Sequence, residues 1–473
     1  MTPTYTHCLV LVADGARADL FERLLDSGQL PNIRTHVVDR GCYRRALTVF
    51  PSTTGPAHIP FVCGLHPGTA NVPGYRWLCR RTHDASRRSI FRNRSLNSPR
   101  GLMVGRDMDP EKSDSLYRYF NKPSSVLELV DYCPDKHLYK LILRRLYKVV
   151  RAHQTDDWGP VDRMVERVII QRIRKGSECI IGSFFGIDEY SHLFDPFHEK
   201  TVAAYINIDR AIGQIALSLQ DQGVYDRTII AIVSDHGLSS THTHIPLVDM
   251  VKAHGFCPFH YPKLYRRRCD SAVLESGNAM AHLYFKHGGH WGSHWRDDEM
   301  KNDARIGPLI ATLRSHPPIP FLITRGEDDE IVFTGRNGTL RARRADSRYH
   351  VTVDGENPLK EHPVGSFTPD QLFDLTYDQT YPDAVNQLFW LFASPRAGDI
   401  IVSSEPGYDL RLQYEDPEHH SSHGSLHREH MHVPLAFSVP FTQTKVRTFD
   451  VVPTVLALCG KSPARPLDGR RLA

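Results

Sequence analysis

Residues 229–238 read IIAIVSDHGL. A short β-rich apolar run ends in Ser-Asp-His-Gly. Unbroken apolar runs of this length mark strands buried on both faces, as in a parallel sheet. Open α/β sheets place their sites beyond the carboxyl ends of such strands. Here that end carries Asp235 and His236. A carboxylate beside an imidazole suits a divalent cation. Taken alone, the pair reads equally well as a capping Asp next to a surface His.

Four further stretches repeat the theme. His7–Asp14, HCLVLVAD, is another apolar strand ending in a carboxylate, followed by Gly15. From Ile180, IIGSFFGIDEYSHLF begins as a strand and ends in Asp188-x-x-x-His192. Near the C-terminus, SSHGSLHREHMHVPLAF sets His423 before Gly424. Between the first two lies PSTTGP, Pro51 to Pro56, a polar turn carrying hydroxyls.

In this order the motifs resemble the alkaline phosphatase superfamily, and within it the type I phosphodiesterases / nucleotide pyrophosphatases. The shared pattern is an early D-G, a Thr loop, D-x-x-x-H, S-D-H-G and a late H-G. The resemblance runs from about Cys8 to the end of the chain. It implies an α/β fold: a mostly parallel central sheet with helices on both faces, plus a smaller inserted α+β cap. It implies two divalent metals, Zn²⁺ first and Mn²⁺ as the alternative. One would be held by Asp188, His192 and His423. The other would be held by Asp14, Asp235 and His236, with the Thr54 hydroxyl as a further ligand. Two cations about 4 Å apart stabilise both the attacking and the leaving oxygen of a phosphoester. The resemblance also implies Thr54 as nucleophile, with Thr53 in reserve, passing through a covalent phospho-threonine.

One departure concerns the substrate. In the pyrophosphatase branch an Asn after the Thr loop binds a phosphate oxygen. Aligned through GLHPG, that place falls on Tyr75, and Asn71 is a possible substitute. A phenol donates one hydrogen bond, so part of the task survives. The change bears on nucleotide substrates more than on the metal chemistry.

Related reactions are weighed by the same residues. A sulfatase needs its Cys or Ser in a C-x-P-x-R type loop, a pattern PSTTGP does not have. Arg17 is the only Arg close to a site strand, so a clamp for a phosphomonoester is less expected than diester cleavage. Phosphoglycerate mutase-like members use a Ser and a different insertion. A phosphotransferase that hands the group to an alcohol acceptor, lipid included, is the alternative within enzymes. A non-catalytic metal- or phosphate-binding member is the alternative outside them.

The chain has 473 residues, 40% hydrophobic and 24% charged, which fits a large globular α/β protein with insertions. A formal net charge of +4 over that length does not argue for a nucleic-acid polymer as partner. A small-molecule or lipid phosphoester is the expected substrate. The Cys residues show no CxxC pair, no secretory pattern opens the chain, and no apolar run approaches a membrane span. These features lead to an expectation of a cytoplasmic protein.

Along the chain, residues 1–269 are expected to form the first part of the core, with an insertion over about 79–160. Residues 270–375 are expected to form the cap, with hairpins around EIVFTGRNGTLRAR and YHVTVDG. Residues 376–473 are expected to return to the core, with DIIVSS as one of its strands. KPSSVLELV, from Lys122, reads as a helix capped by Ser124 or Ser125. LYKLILRRLYKVVRAH, over 138–153, reads as an apolar and basic helix. It is more readily a packed surface helix than one that contacts an anionic membrane from outside.

Overall fold

The computed structural model describes residues 5–80, 93–95, 105, 107–130, 147–261, 269–411 and 418–473. The first strand, His7–Ala13, lies inside a seven-stranded sheet. Its neighbours are Cys179–Phe184 and Thr228–Val233, both parallel to it. The full order is Val446–Arg447, Cys42–Leu47, His432–Phe437, Thr228–Val233, His7–Ala13, Cys179–Phe184, Ser124–Val126. Only His432–Phe437 runs against the rest. The sheet is therefore mostly parallel, as the apolar strand runs imply.

Alternation along the first strand divides the core in two. Cys8, Val10 and Val12 pack into one apolar cluster with residues of the helices Ile59–Cys63 and Val451–Leu458. Leu9, Leu11 and Ala13 pack into the other, against the helices Ala18–Asp26, Gly159–Arg174 and Glu199–Asp221. Helices thus cover both faces. The long helix Glu199–Asp221 starts where the His198 ring accepts from the Lys200 amide and stops just before Gly223, at φ 66°. A left-handed residue at that place ends a helix, and glycine takes it without strain.

A second sheet has nine strands, from Pro258–Phe259 at one edge to Gly365–Phe367 at the other. The hairpin of Ile331–Gly335 with Gly338–Ala345 turns at Arg336-Asn337, as its Asn-Gly signal implies. The next turn, Asp346-Ser347, has φ of 50° and 63°, the left-handed pair that suits a tight hairpin.

Two expectations about elements are corrected. Residues 124–126 are not helical. They form an edge strand of the central sheet, parallel to Ile180–Gly182. Pairing with a buried neighbour overrides the local Ser-Ser capping signal. Ile400–Ser403 does not join the central sheet. It sits inside the second one, between Phe321–Arg325 and Met280–Phe285. A short apolar run shows that a strand is buried but does not say in which sheet. The 138–153 reading falls largely outside the described residues, of which 147–155 are helical. Among the described residues no helix is long and apolar enough to cross a membrane.

Leu11 has no exposed surface and points into the cluster beneath the long helices. Leu11→Ala should cost about 2–5 kcal/mol of stability. A shift of the urea midpoint at unchanged slope would show it.

Candidate metal centre

The strand ends are pinned together by backbone geometry. The Asp14 amide donates to the Phe184 carbonyl at 3.0 Å. Gly15 follows with φ +72°, and a Cβ there would lie 2.9 Å from the Asp188 Cα. Only glycine tolerates both conditions. Its amide donates to Asp235 Oδ1 at 3.2 Å, and the Ala16 amide to Ser234 Oγ at 2.8 Å. The early D-G and the S-D-H-G end are therefore one unit.

Asp188 and His192 lie on the helix Gly186–Leu193, one turn apart on the same face. The Asp162 carboxylate receives the amides of Phe185 at 2.9 Å and Gly186 at 3.1 Å, which fixes the start of that helix. The Thr loop is stapled to the late H-G. Ser52 Oγ donates to the Ser425 carbonyl at 2.8 Å, and Ser52 bridges Gly424. Gly277, at φ +67°, covers His423 so closely that a Cβ would lie 2.5 Å from its Nδ1.

Each expected imidazole gives its Nδ1–H to a carbonyl. His192 donates to Ser421 at 2.9 Å, His236 to Gly237 at 3.1 Å and His423 to Ser52 at 3.2 Å. That tautomer leaves Nε2 free as a donor to metal. His192 Nε2 lies 3.4 Å from Asp188 Oδ1. His236 Nε2 lies 2.9 Å from Thr54 Oγ1, 3.5 Å from Asp14 Oδ1 and 3.4 Å from Asp235 Oδ2. Thr54 Oγ1 lies 3.3 Å from Asp14 Oδ1. Ligands bonded at zinc-like lengths around a tetrahedral ion stand about 3.3 Å apart. The His236 and His423 rings stack at 3.7 Å between centroids.

The polar atoms left over also fit a cation. Asp14 Oδ2, Asp188 Oδ1 and Asp235 Oδ2 are buried and lack a hydrogen-bond partner among the described residues. Buried acceptors of this kind are expensive unless a cation meets them. Two donor groups converge, Asp188–His236–His423 and Asp14–His58–Asp235, with ligand atoms within 4.8 Å of one another in each. The grouping differs from the expected one in three ways. His236 stands with Asp188 and His423 while also lying 3.5 Å from Asp14 and 3.4 Å from Asp235, His192 joins neither group, and His58 stands with Asp14 and Asp235. His58 escaped the sequence reading. Its one signal was the spacing Thr54-Gly-Pro-Ala-His58, which returns an imidazole to the hydroxyl loop.

Electrostatics follow from the crowding. Burial raises the pKa of Asp14, with Asp235 adding to it. Burial also raises Asp188 well above the carboxylate range, helped by Asp14 and Glu189. Asp235 goes the other way, to about 2, because His236 and His58 outweigh its burial. Burial pushes His192 down to about 3 and His423 well below its usual value. Both are therefore neutral and competent to bind metal at pH 7.

The remaining expected residues divide. Thr54 is partly exposed and Thr53 is fully buried, so Thr54 is the hydroxyl a substrate can reach. Tyr75 lies near the frame: its amide donates to Ser276 Oγ at 2.9 Å, next to the Gly277 that covers His423. Asn71 does not reach the frame. Its side-chain oxygen accepts from Ser394 Oγ at 2.8 Å, and no hydrogen bond joins it to the metal residues among those described. A left-handed turn at φ 65° points it at that loop instead. Arg17 is buried and held by Asp19 at 2.7 Å and Glu429 at 2.8 Å, leaving it no role as a phosphate clamp.

The family model for type I phosphodiesterase / nucleotide pyrophosphatase matches residues 8–426. No curated protein matches the sequence. Among solved structures, murine ectonucleotide pyrophosphatase / phosphodiesterase 5 superposes with a TM-score of 0.55 at 13% identity, covering 98% of this chain and 97% of that one. At that identity the likeness is one of fold, the alkaline-phosphatase-type α/β fold with an added domain.

Metal occupancy should appear in stability. Zn²⁺ at about 100 times its dissociation constant should stabilise the chelator-treated protein by about 2.7 kcal/mol. A rise in Tm on adding Zn²⁺ or Mn²⁺ would show it, and an unchanged Tm with both ions would count against the cation frame.

Proposed function

The chain belongs to the type I phosphodiesterase / nucleotide pyrophosphatase family, and from that premise we propose that it is a two-metal phosphodiesterase that works through Thr54. The observation that carries the reading is the position of Thr54 Oγ1, 2.9 Å from His236 Nε2 and 3.3 Å from Asp14 Oδ1, beside carboxylate oxygens that lack partners. Asp14, Asp235, His236, Asp188, His192 and His423 would hold the two cations. When bound, these supply Lewis-acid stabilisation of the phosphoryl oxygens and of the leaving oxygen. Zn²⁺ suits this imidazole and carboxylate set, and Mn²⁺ is the alternative.

The chain's own part is positioning and nucleophilic attack. Thr54 is partly exposed beside fully buried Asp14, Asp235 and His236, so its oxygen is the one a phosphodiester would meet. Oγ1 forms a bond to phosphorus as the bond to the leaving alcohol breaks, and the hydroxyl proton is lost toward the acceptors around it. The product is phospho-Thr54 carrying the other ester group. Water then attacks phosphorus, releases the monoester and restores the hydroxyl. Tyr75, its phenol kept neutral by burial, would donate a hydrogen bond to a bound ester in this reading. Arg17, its single charge matched by Asp19 and Glu429, is not free to clamp a doubly charged monoester.

Bis-p-nitrophenyl phosphate should be cleaved faster than p-nitrophenyl phosphate, with about two metals per chain in the same sample. Monoester preference would move the protein to the phosphatase side of the superfamily. Thr54→Ala should lower turnover by on the order of 10⁴-fold while most of the bound metal stays. Normal turnover in that variant would overturn the nucleophile assignment.

A further inference from the structure

His58 lies four residues after Thr54 and outside the motifs read from the sequence, yet it has no exposed surface and stands among three carboxylates. Its Nδ1 lies 3.3 Å from Glu128 Oε1. Its Nε2 lies 3.6 Å from Asp14 Oδ2 and 3.4 Å from Asp235 Oδ2. Glu128 is 2% exposed and follows the edge strand Ser124–Val126. It is held in place by the Val130 amide, at 3.0 and 3.1 Å from its two oxygens. An edge-on contact with Phe61 at 6.3 Å sets the plane of the His58 ring.

The two carboxylates are held alike. Asp235 Oδ1 receives the Gly15 amide at 3.2 Å. Asp14 Oδ1 faces Thr54 at 3.3 Å and His236 at 3.5 Å. Asp14 Oδ2 and Asp235 Oδ2 have no hydrogen-bond partner among the described residues, and His58 Nε2 stands 3.6 and 3.4 Å from them. Metal-binding carboxylates are oriented by hydrogen bonds to the oxygen that the metal does not take. Carboxylate oxygens only accept, so a ring that faces them with both nitrogens serves them by donating from both.

We propose that His58, braced by Glu128, is a positioning residue that holds the Asp14 and Asp235 carboxylates in the orientation that binds the Thr54-side metal. This deepens the two-metal reading and rests on it. Glu128 comes from a segment that none of the metal motifs contains. The residue just past the edge strand thereby reaches Thr54 in three steps, Glu128 to His58, His58 to Asp14 and Asp14 to Thr54. The arm acts on one metal only, because His58 lies with Asp14 and Asp235 and not with Asp188 and His423.

The test measures metal and not turnover. Zn²⁺-loaded protein is dialysed against graded chelator, and the metals per chain are counted at each step. The visible spectrum of the Co²⁺-loaded form and the imidazole count from X-ray absorption are recorded alongside. His58→Leu should weaken one metal of the two by about 10–100-fold, leave the other unchanged, and shift the Co²⁺ spectrum. His58→Gln keeps an N–H donor and should recover part of the loss. Glu128→Gln keeps the packing and should show a smaller loss at the same metal, which tests the proposal even if His58→Leu folds poorly. Equal affinities and spectra in all three variants would overturn the proposal while two metals in the parent leave the phosphodiesterase reading standing. Loss of one imidazole from the metal shell in His58→Gln would make His58 a ligand and would equally overturn it. A parent chain that binds no metal would remove the two-metal reading and this inference with it.

Discussion

Asp14, Asp188 and Asp235 are packed into one buried frame, and their mutual repulsion is the constraint around which the rest of the protein is arranged. Moving a carboxylate out of water costs several kcal/mol even after relaxation. Three together cost more, because each raises the energy of charge on the others. The opposite shifts of Asp14 and Asp235 express this: His236 and His58 draw both carboxylates down, but only in Asp235 does this outweigh burial. Two divalent cations remove the shortage. The orphaned oxygens and neutral imidazoles are thus a single feature seen from two sides, since the carboxylates lack a counter-charge and the imidazoles have lone pairs to spare.

Control of those lone pairs lies in the backbone. The carbonyls of Ser421, Gly237 and Ser52 each take an Nδ1–H, so each Nε2 faces inward. Those carbonyls belong to three separate segments, which approach one another only when the central sheet has formed. The frame therefore has no existence apart from the fold. Gly15 and Gly277 mark the two closest approaches, one between strand ends and one between the second sheet and His423.

The parts of this arrangement that the sequence discloses are those with local signatures. IIAIVSDHGL and HCLVLVAD show buried strands and their terminal carboxylates in one stretch each, and Asp188-x-x-x-His192 is a helical face whatever lies around it. The candidate hydroxyl Thr54 is legible for the same reason, as a hydroxyl turn between apolar elements. Glu128 and Ser124–Val126 were hidden because a two-serine start looks like a helix cap, and only the pairing with Ile180–Gly182 makes it a strand. His58 was hidden because its partners stand 44, 70 and 177 positions away, at Asp14, Glu128 and Asp235. Asn71 failed in the opposite sense. An amide residue in the right stretch suggested a phosphate contact, but the turn at φ 65° sends it to Ser394. Residue type is written in the sequence, whereas the direction of a side chain is set by turns that spacing does not encode.

The second sheet bears on the chemistry through one hairpin. Ser271–Ser276 and Met280–Phe285 are joined by Gly277 and Asn278, and this turn lies directly on His423, with Asn278 bridging it. The same turn receives the Tyr75 amide through Ser276. A metal ligand and the residue at the inferred substrate contact thus lean on one tight turn of another sheet. That turn has no room to move independently: the Gly277 approach admits no added methyl, and the Ala279 amide donates to the His423 carbonyl at 2.9 Å. The Tyr75 backbone and the candidate ligand His423 are therefore coupled through packing. The second sheet does not act as a detachable lid, because it forms one wall of the candidate cation site.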